Sequence, residues 1–154
     1  GAAASDRCPR CEQRGMCVKL GDHGHGSVHD GPVPFACPCC GYLTFGGSPG
    51  SYEICEICFW EDDAVQLRWP DKPGGANRVS LIEAQQSFSN TGASEDRLKS
   101  YVRSATSRDH RDDGWRPVSR ADDSFEEWPK QQEAWPSDLT ALYWWRPSFW
   151  RANR

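Results

Sequence analysis

Aliphatic side chains are scarce in this chain. Leu, Ile, Val and Phe together make up about 15% of the 154 residues, too little for an ordinary globular core. There is one methionine. No apolar run approaches the roughly 20 residues of a membrane-spanning helix. None has the form of a secretory signal either, so the expectation is a soluble, cytoplasmic protein. Positive charge is also short. Eighteen Lys and Arg stand against 22 Asp and Glu, a net charge of −4. A chain that binds phosphate backbones as its main task normally shows a basic excess, so nucleic acid is not the expected partner. No histidine is followed two residues later by glutamate, which removes deaminase-type zinc chemistry.

What the chain has instead is eight cysteines and eight tryptophans. Cys37-Pro-Cys-Cys40-Gly41 and Cys55-Glu-Ile-Cys58 are two C-x2-C pairs separated by fourteen residues. That spacing lets the sulfurs of two tight turns meet one tetrahedral ion, so Cys37, Cys40, Cys55 and Cys58 are the expected ligands of a zinc site. In the first turn proline presets the bend and Gly41 permits a left-handed backbone. Iron or cadmium would accept the same sulfurs. A disulfide framework fits an exported mini-protein better than this chain. A redox pair needs one C-x2-C at a helix start rather than two facing ones. Four thiolates leave no open coordination position, so the ion is expected to be structural and the protein not an enzyme.

A second cluster is half present. Cys8 and Cys11 repeat the Cys-Pro-x-Cys form, Cys17 is the nearest third thiolate, and His23, His25 or His29 offers the fourth ligand. His29, beyond the glycine loop, leaves the chain most room to fold back, so the possible second zinc takes Cys8, Cys11, Cys17 and His29. Cys39, inside the first turn, is read as a spectator or as a participant in that second site. Its use as a nucleophile would need His110, the only histidine downstream.

Four stretches follow along the chain. Residues 1–5 look like an expression-vector scar, and 6–34 form a Cys/His-rich arm. Residues 35–104 hold the zinc-ribbon domain, and 105–154 a Trp-rich tail wrapped over it. In the ribbon, Tyr42–Phe45 reads as a strand, Gly46–Gly50 as its turn and Tyr52–Ile54 as the return strand. Val65–Leu67 is expected to add a strand. Ser80-Leu-Ile-Glu83 is a capping box opening a helix that Gly92 ends. A second helix from about Ser94, with Leu98, Tyr101 and Val102 on one face, completes an αα-hairpin. A short helix is expected to start at Ser137 or Asp138 and to end before Pro147. The acidic runs Glu61-Asp62-Asp63, Asp122-Asp123 and Glu126-Glu127 read as solvated faces or as sites for a cationic partner. Trp60, Trp69, Trp144, Trp145 and Trp150 are expected mainly in the core, with Arg146 and Arg151 able to stack on rings.

The stretch from Cys37-Pro-Cys-Cys-Gly-Tyr-Leu-Thr44 through Tyr52-Glu-Ile-Cys-Glu-Ile-Cys-Phe-Trp-Glu-Asp-Asp63, continuing into Gly74-Gly-Ala-Asn-Arg-Val-Ser-Leu81, resembles the bacterial cysteine-rich CPCC domain family. The resemblance implies a small zinc-ribbon-like domain rather than an enzyme. By analogy with small neighbours of polymorphic toxins, it implies an immunity protein. The expected fold is α+β: short antiparallel strands of a zinc ribbon, the αα-hairpin and the tail. The expected partner is a protein, possibly a basic toxin domain. The alternative is a nucleic-acid-binding or transcription-associated ribbon, supported by the arginines between Arg97 and Arg120.

Overall fold

Each cysteine turn is closed by its own pair of backbone hydrogen bonds, and the two turns are copies of one another. A computed structural model describes residues 35–153. They lie within the second of two units into which the chain divides, Val33–Arg154. In the first turn the Gly41 amide donates to the Cys37 carbonyl (2.7 Å) and the Cys37 amide to the Tyr42 carbonyl (2.9 Å). In the second, the Phe59 amide donates to the Cys55 carbonyl (2.7 Å) and the Cys55 amide to the Trp60 carbonyl (2.8 Å). The fifth residue of each turn has positive φ, 83° at Gly41 and 69° at Phe59. Glycine meets that demand freely, whereas phenylalanine is strained there and must be held by its surroundings. The Phe59 ring is buried against Tyr101, with ring centres 5.6 Å apart.

Strand β1 (Phe35–Ala36) enters the first turn and β2 (Leu43–Phe45) leaves it, pairing antiparallel with Phe35 opposite Phe45. The hairpin expected between Tyr42–Phe45 and Tyr52–Ile54 is therefore not formed. Segment 52–54 instead pairs with the exit of the second turn. Ile54 bridges Glu61, the Tyr52 amide donates to the Asp62 carbonyl and the Asp62 amide to the Glu53 carbonyl. The physical reason is local. Each C-x2-C turn brings its own flanks together at no extra loop cost, whereas a hairpin across Gly46–Gly50 would have to compete with both. The glycine turn is closed by the Glu53 carboxylate, which accepts from the Gly46 and Gly47 amides.

Val65–Leu67 is not a strand but part of helix α1 (Ala64–Arg68). The Asp63 carboxylate caps it, accepting from the amides of Val65 (2.8 Å) and Gln66 (3.3 Å). Helix α2 (Leu81–Thr91) has the expected capping box, Ser80 with Glu83, and the expected left-handed Gly92 at its C-terminus. It buries Leu81, Ala84 and Gln85. The segment after it is a 3₁₀ helix, Asp96–Tyr101, with no side-chain cap, so the pair expected as an αα-hairpin is one α-helix followed by a 3₁₀ turn. A second 3₁₀ helix, Leu139–Leu142, is capped by Asp138. No helix among the described residues is long and apolar enough to cross a membrane.

The run Glu61-Asp62-Asp63, expected on a solvated face, is buried. Asp63 accepts from Ala76 as well as capping α1. Asp62 accepts from the Ser51 amide and hydroxyl, and burial pushes its carboxyl up to about 6 despite those bonds. Polar groups hold the next loop too. Asn77 and Gln66 bond one another, while Asn77 also donates to the Glu61 carbonyl and accepts from the Glu61 amide. With few aliphatics available, buried hydrogen bonds do part of the fixing that packing does elsewhere.

Residues 103–135 run as an extended strap. The Leu43 amide donates to the His110 carbonyl, Tyr42 bridges Arg111, and the Asp112 amide donates to the Gly41 carbonyl. The strap thus clasps the outside of the first cysteine turn. Leu142, Tyr143, Trp144, Trp145 and Phe149 pack into the same core cluster as the cysteines and Trp60, and the Tyr143 hydroxyl donates to the Ala36 carbonyl. Trp69 is also buried, and Trp150 is partly covered. Arg146 stacks over Tyr143 and Arg151 lies beside Trp150.

Candidate metal centre

Cys37, Cys40, Cys55 and Cys58 converge. Their four sulfurs lie within 4.8 Å of one another, and all four residues are buried. Cys37 Sγ is 3.5 Å from Cys58 Sγ, and Cys40 Sγ is 3.7 Å from Cys55 Sγ. An ion with metal–sulfur bonds of about 2.3 Å at a tetrahedral centre sets its sulfurs about 3.8 Å apart. The cluster fits that shape. Each pair brings together one sulfur from each turn, so an ion here would tie the turns across rather than along the chain.

Around the cluster the charge is directed. Burial pushes the Cys37 and Cys58 thiols well above their ordinary range and Cys40 up to about 11. Burial acts the same way on Cys55. There, hydrogen bonds from the other three sulfurs and from the Thr44 hydroxyl outweigh it and hold Cys55 well below that range. A divalent cation supplies the opposite charge that lets all four become thiolates. Two donors outside the ligand set remain aimed at sulfur. Thr44 Oγ1 donates to Cys55 Sγ at 3.3 Å, and the Trp60 amide donates to Cys58 Sγ at 3.4 Å.

The strap completes the surroundings of the first turn. Arg111 Nε donates to the Cys40 carbonyl (2.8 Å), while Gln85 Nε2 and Trp115 Nε1 both donate to the Pro38 carbonyl. A Cβ added at Gly41 would stand 2.4 Å from Trp115 Cδ2, on a backbone of φ +83°. Gly41→Ala is therefore expected to cost about 2–4 kcal/mol, backbone strain and a displaced Trp115 together, read as a lower denaturation midpoint of the metal-loaded protein.

Sequence reasoning found the four sulfurs, and the structure brings all four together. Cys39, fully buried, stands outside the set. Cys8, Cys11, Cys17 and His29 lie outside the described residues. Thr44 was missed as a sulfur donor. The available signal was a lone hydroxyl between Leu43 and Phe45 on a strand that starts three residues after Cys40, where alternation turns it away from its apolar neighbours. Thr44→Val keeps the shape and removes the donor. It is expected to weaken metal retention about tenfold in chelator competition, with little change in fold.

The model of the cysteine-rich CPCC family matches residues 35–109. The match takes in both cysteine turns, α1, α2 and the start of the strap. No curated protein matches the chain.

Proposed function

We propose that the cluster holds a structural zinc ion and that the protein acts in the cytoplasm by binding another protein, most concretely as an immunity protein that blocks a toxin, rather than by catalysis. One observation carries this reading: the chain itself offers four buried cysteine sulfurs within 4.8 Å of one another, so zinc bound by all four has no position left for a substrate or a reactive water. Zinc accepts four thiolates without redox chemistry, which suits an ion whose work is to hold two turns together.

The net charge of −4 supports a basic partner. The run Glu61–Asp63 is spent inside the fold, so the recognising carboxylates are those left outside it, among them Asp71 and Asp113. Trp128 and Trp135, 43% and 38% exposed and both packed edge-on against Trp69, supply aromatic anchors of the kind that dominate binding energy. The nucleic-acid alternative has less support. Among the described residues of the stretch from Arg97 to Arg120, Arg97, Arg103 and Arg116 are engaged by carboxylates and Arg111 by the Cys40 carbonyl, which leaves Arg108 and Arg120 of that stretch for phosphate.

The test is co-expression with the product of the adjacent gene. Co-purification with Kd below about 1 µM, and loss of the partner's toxicity, are expected. A chain that binds no such neighbour but shifts DNA or RNA in a salt-sensitive way would replace the immunity reading with its alternative.

A further inference from the structure

The two cysteine turns share a backbone pattern but are held in place by different means. The second turn carries its own anchors. Ile57, Phe59 and Trp60 are buried, and the Cys58 carbonyl accepts from the Ser94 amide at 2.7 Å. At the matching places the first turn has Cys39, Gly41 and the half-buried Tyr42, which offer far less side chain to the core.

Residues 110–115 close the outer side of the first turn instead. The Leu43 amide donates to the His110 carbonyl and the Asp112 amide to the Gly41 carbonyl, both at 2.8 Å. Arg111 Nε reaches the Cys40 carbonyl, and its guanidinium lies 4.7 Å from the ring centre of Tyr42 and 5.0 Å from that of Trp115. The Trp115 ring rests on Gly41, and its Nε1 donates to the Pro38 carbonyl at 3.2 Å. Yet this segment is extended, and His110, Arg111, Asp113 and Gly114 are exposed. Asp112 ties it to the C-terminal residues, its Oδ2 accepting from Trp145 Nε1 (2.7 Å) and Arg146 Nε (2.8 Å). Segments held by exposed hydrogen bonds and few buried apolar contacts open locally, at less cost than the whole fold. Moving the second turn would instead uncover Ile57, Phe59 and Trp60.

We propose, resting on the reading of the cluster as a zinc site, that residues 110–115 form a clasp that governs metal exchange through the first turn. All four cysteines are fully buried, so a competing ligand reaches the sulfurs only after a covering segment moves. The clasp is the segment that moves at least cost. When it lifts, Cys37 and Cys40 are uncovered while Cys55 and Cys58 stay packed. The clasp therefore sets how fast the ion leaves, separately from how tightly the four sulfurs hold it.

The experiment uses the full zinc-loaded chain, with zinc release into a fixed excess of a chromophoric chelator and amide hydrogen exchange as its two readouts. Metal content is measured first. A chain without metal would refute the zinc reading, and amide exchange would still test which turn opens first. The Leu43 and Asp112 amides are expected to exchange at least about tenfold faster than those of Cys55 and Phe59. Arg111→Met removes the bond to Cys40 and the charge over both rings, and should speed zinc release about tenfold. Asp112→Ala frees the clasp from Trp145 and Arg146 and should act in the same direction. It keeps the test decisive if Arg111→Met does not fold. Glu53→Ala removes the carboxylate that closes the turn at Gly46 and Gly47, away from the clasp, and should leave release within about twofold of wild type. That control separates a clasp from a general loss of stability. Unchanged release in both clasp variants would overturn the proposal, as would equal acceleration in Glu53→Ala. So would Cys55 and Phe59 amides that exchange as fast as those of Leu43 and Asp112.

Discussion

Cys55→Ser is expected to abolish metal binding and to unfold the region around both turns, not to trim an activity from a folded protein. Structural zinc supplies roughly 10–16 kcal/mol of apparent binding free energy in small domains, against a typical net stability of about 5–15 kcal/mol. The core cluster contains the four cysteines themselves, with Trp60, Tyr143 and Trp145 packed into it. Loss of the ion therefore leaves sulfurs that repel one another as thiolates, or that must be neutralised as buried thiols, in the middle of the packing. Cys55 is the most telling choice because Thr44 and the other three sulfurs all favour its charge. Mass spectrometry of the native protein should give one ion at this cluster, and thermal melting with and without chelator should separate by tens of degrees. Acidification should act as chelator does, because protonated thiols release metal. A metal-free protein that melts sharply, with Cys55→Ser unchanged, would refute the assignment.

The site was more legible in the sequence than the fold around it. Ligand spacing is a local property: C-x2-C fixes two sulfurs in one turn, and fourteen intervening residues allow the turns to face each other. The capping box at Ser80 and the stop at Gly92 are local for the same reason, and both stand as read. The errors came where distant residues decide. Val65-Gln-Leu67 has the alternation of a strand, but Asp63 caps the segment and Gln66 is held by the carbonyls of Lys72, Asn77 and Val79, so helix wins. The acidic run looked like surface because aspartate usually is. Its burial depends on Ser51, Ala76 and Asn77, none of which the run itself reveals. Phe59 could not be read as left-handed from its own identity. Only its place in the second turn, matching Gly41 in the first, would have shown it.

Breaking the Arg68–Glu126 pair is expected to cost as much as any single change outside the cysteines. Both side chains are fully covered, and Arg68 Nε meets Glu126 Oε1 at 2.6 Å. The guanidinium also donates to the Glu133 carbonyl (2.7 Å) and lies 4.6–4.8 Å from the ring centres of Trp69, Trp135 and Trp150. One charge from α1 thus gathers the strap and the C-terminal residues at a single point. Glu126→Gln removes the only carboxylate bonded to Arg68 among the described residues and leaves that guanidinium, with Arg151 beside it, uncompensated; about 3–5 kcal/mol of destabilisation is expected. Arg68→Met costs a similar amount, because it strands Glu126 and empties the space between the three rings. Together with Glu126→Leu it should cost clearly less than the sum of the single changes, since the double variant removes both charges of the pair and leaves only Arg151 without its neighbouring carboxylate. The pH dependence has a definite sign. Burial tends to raise the Glu126 carboxyl, but Arg68 and the Gln132 amide outweigh it and hold it below its ordinary range. Its contribution is therefore present above the unfolded glutamate pKa of about 4.3 and is lost as pH falls through the lower folded value. Urea unfolding across that range should show the acid limb of stability flattened in the double variant relative to wild type. Equal limbs, or a Glu126→Gln protein within about 0.5 kcal/mol of wild type, would mean that the tryptophans alone hold the strap in place.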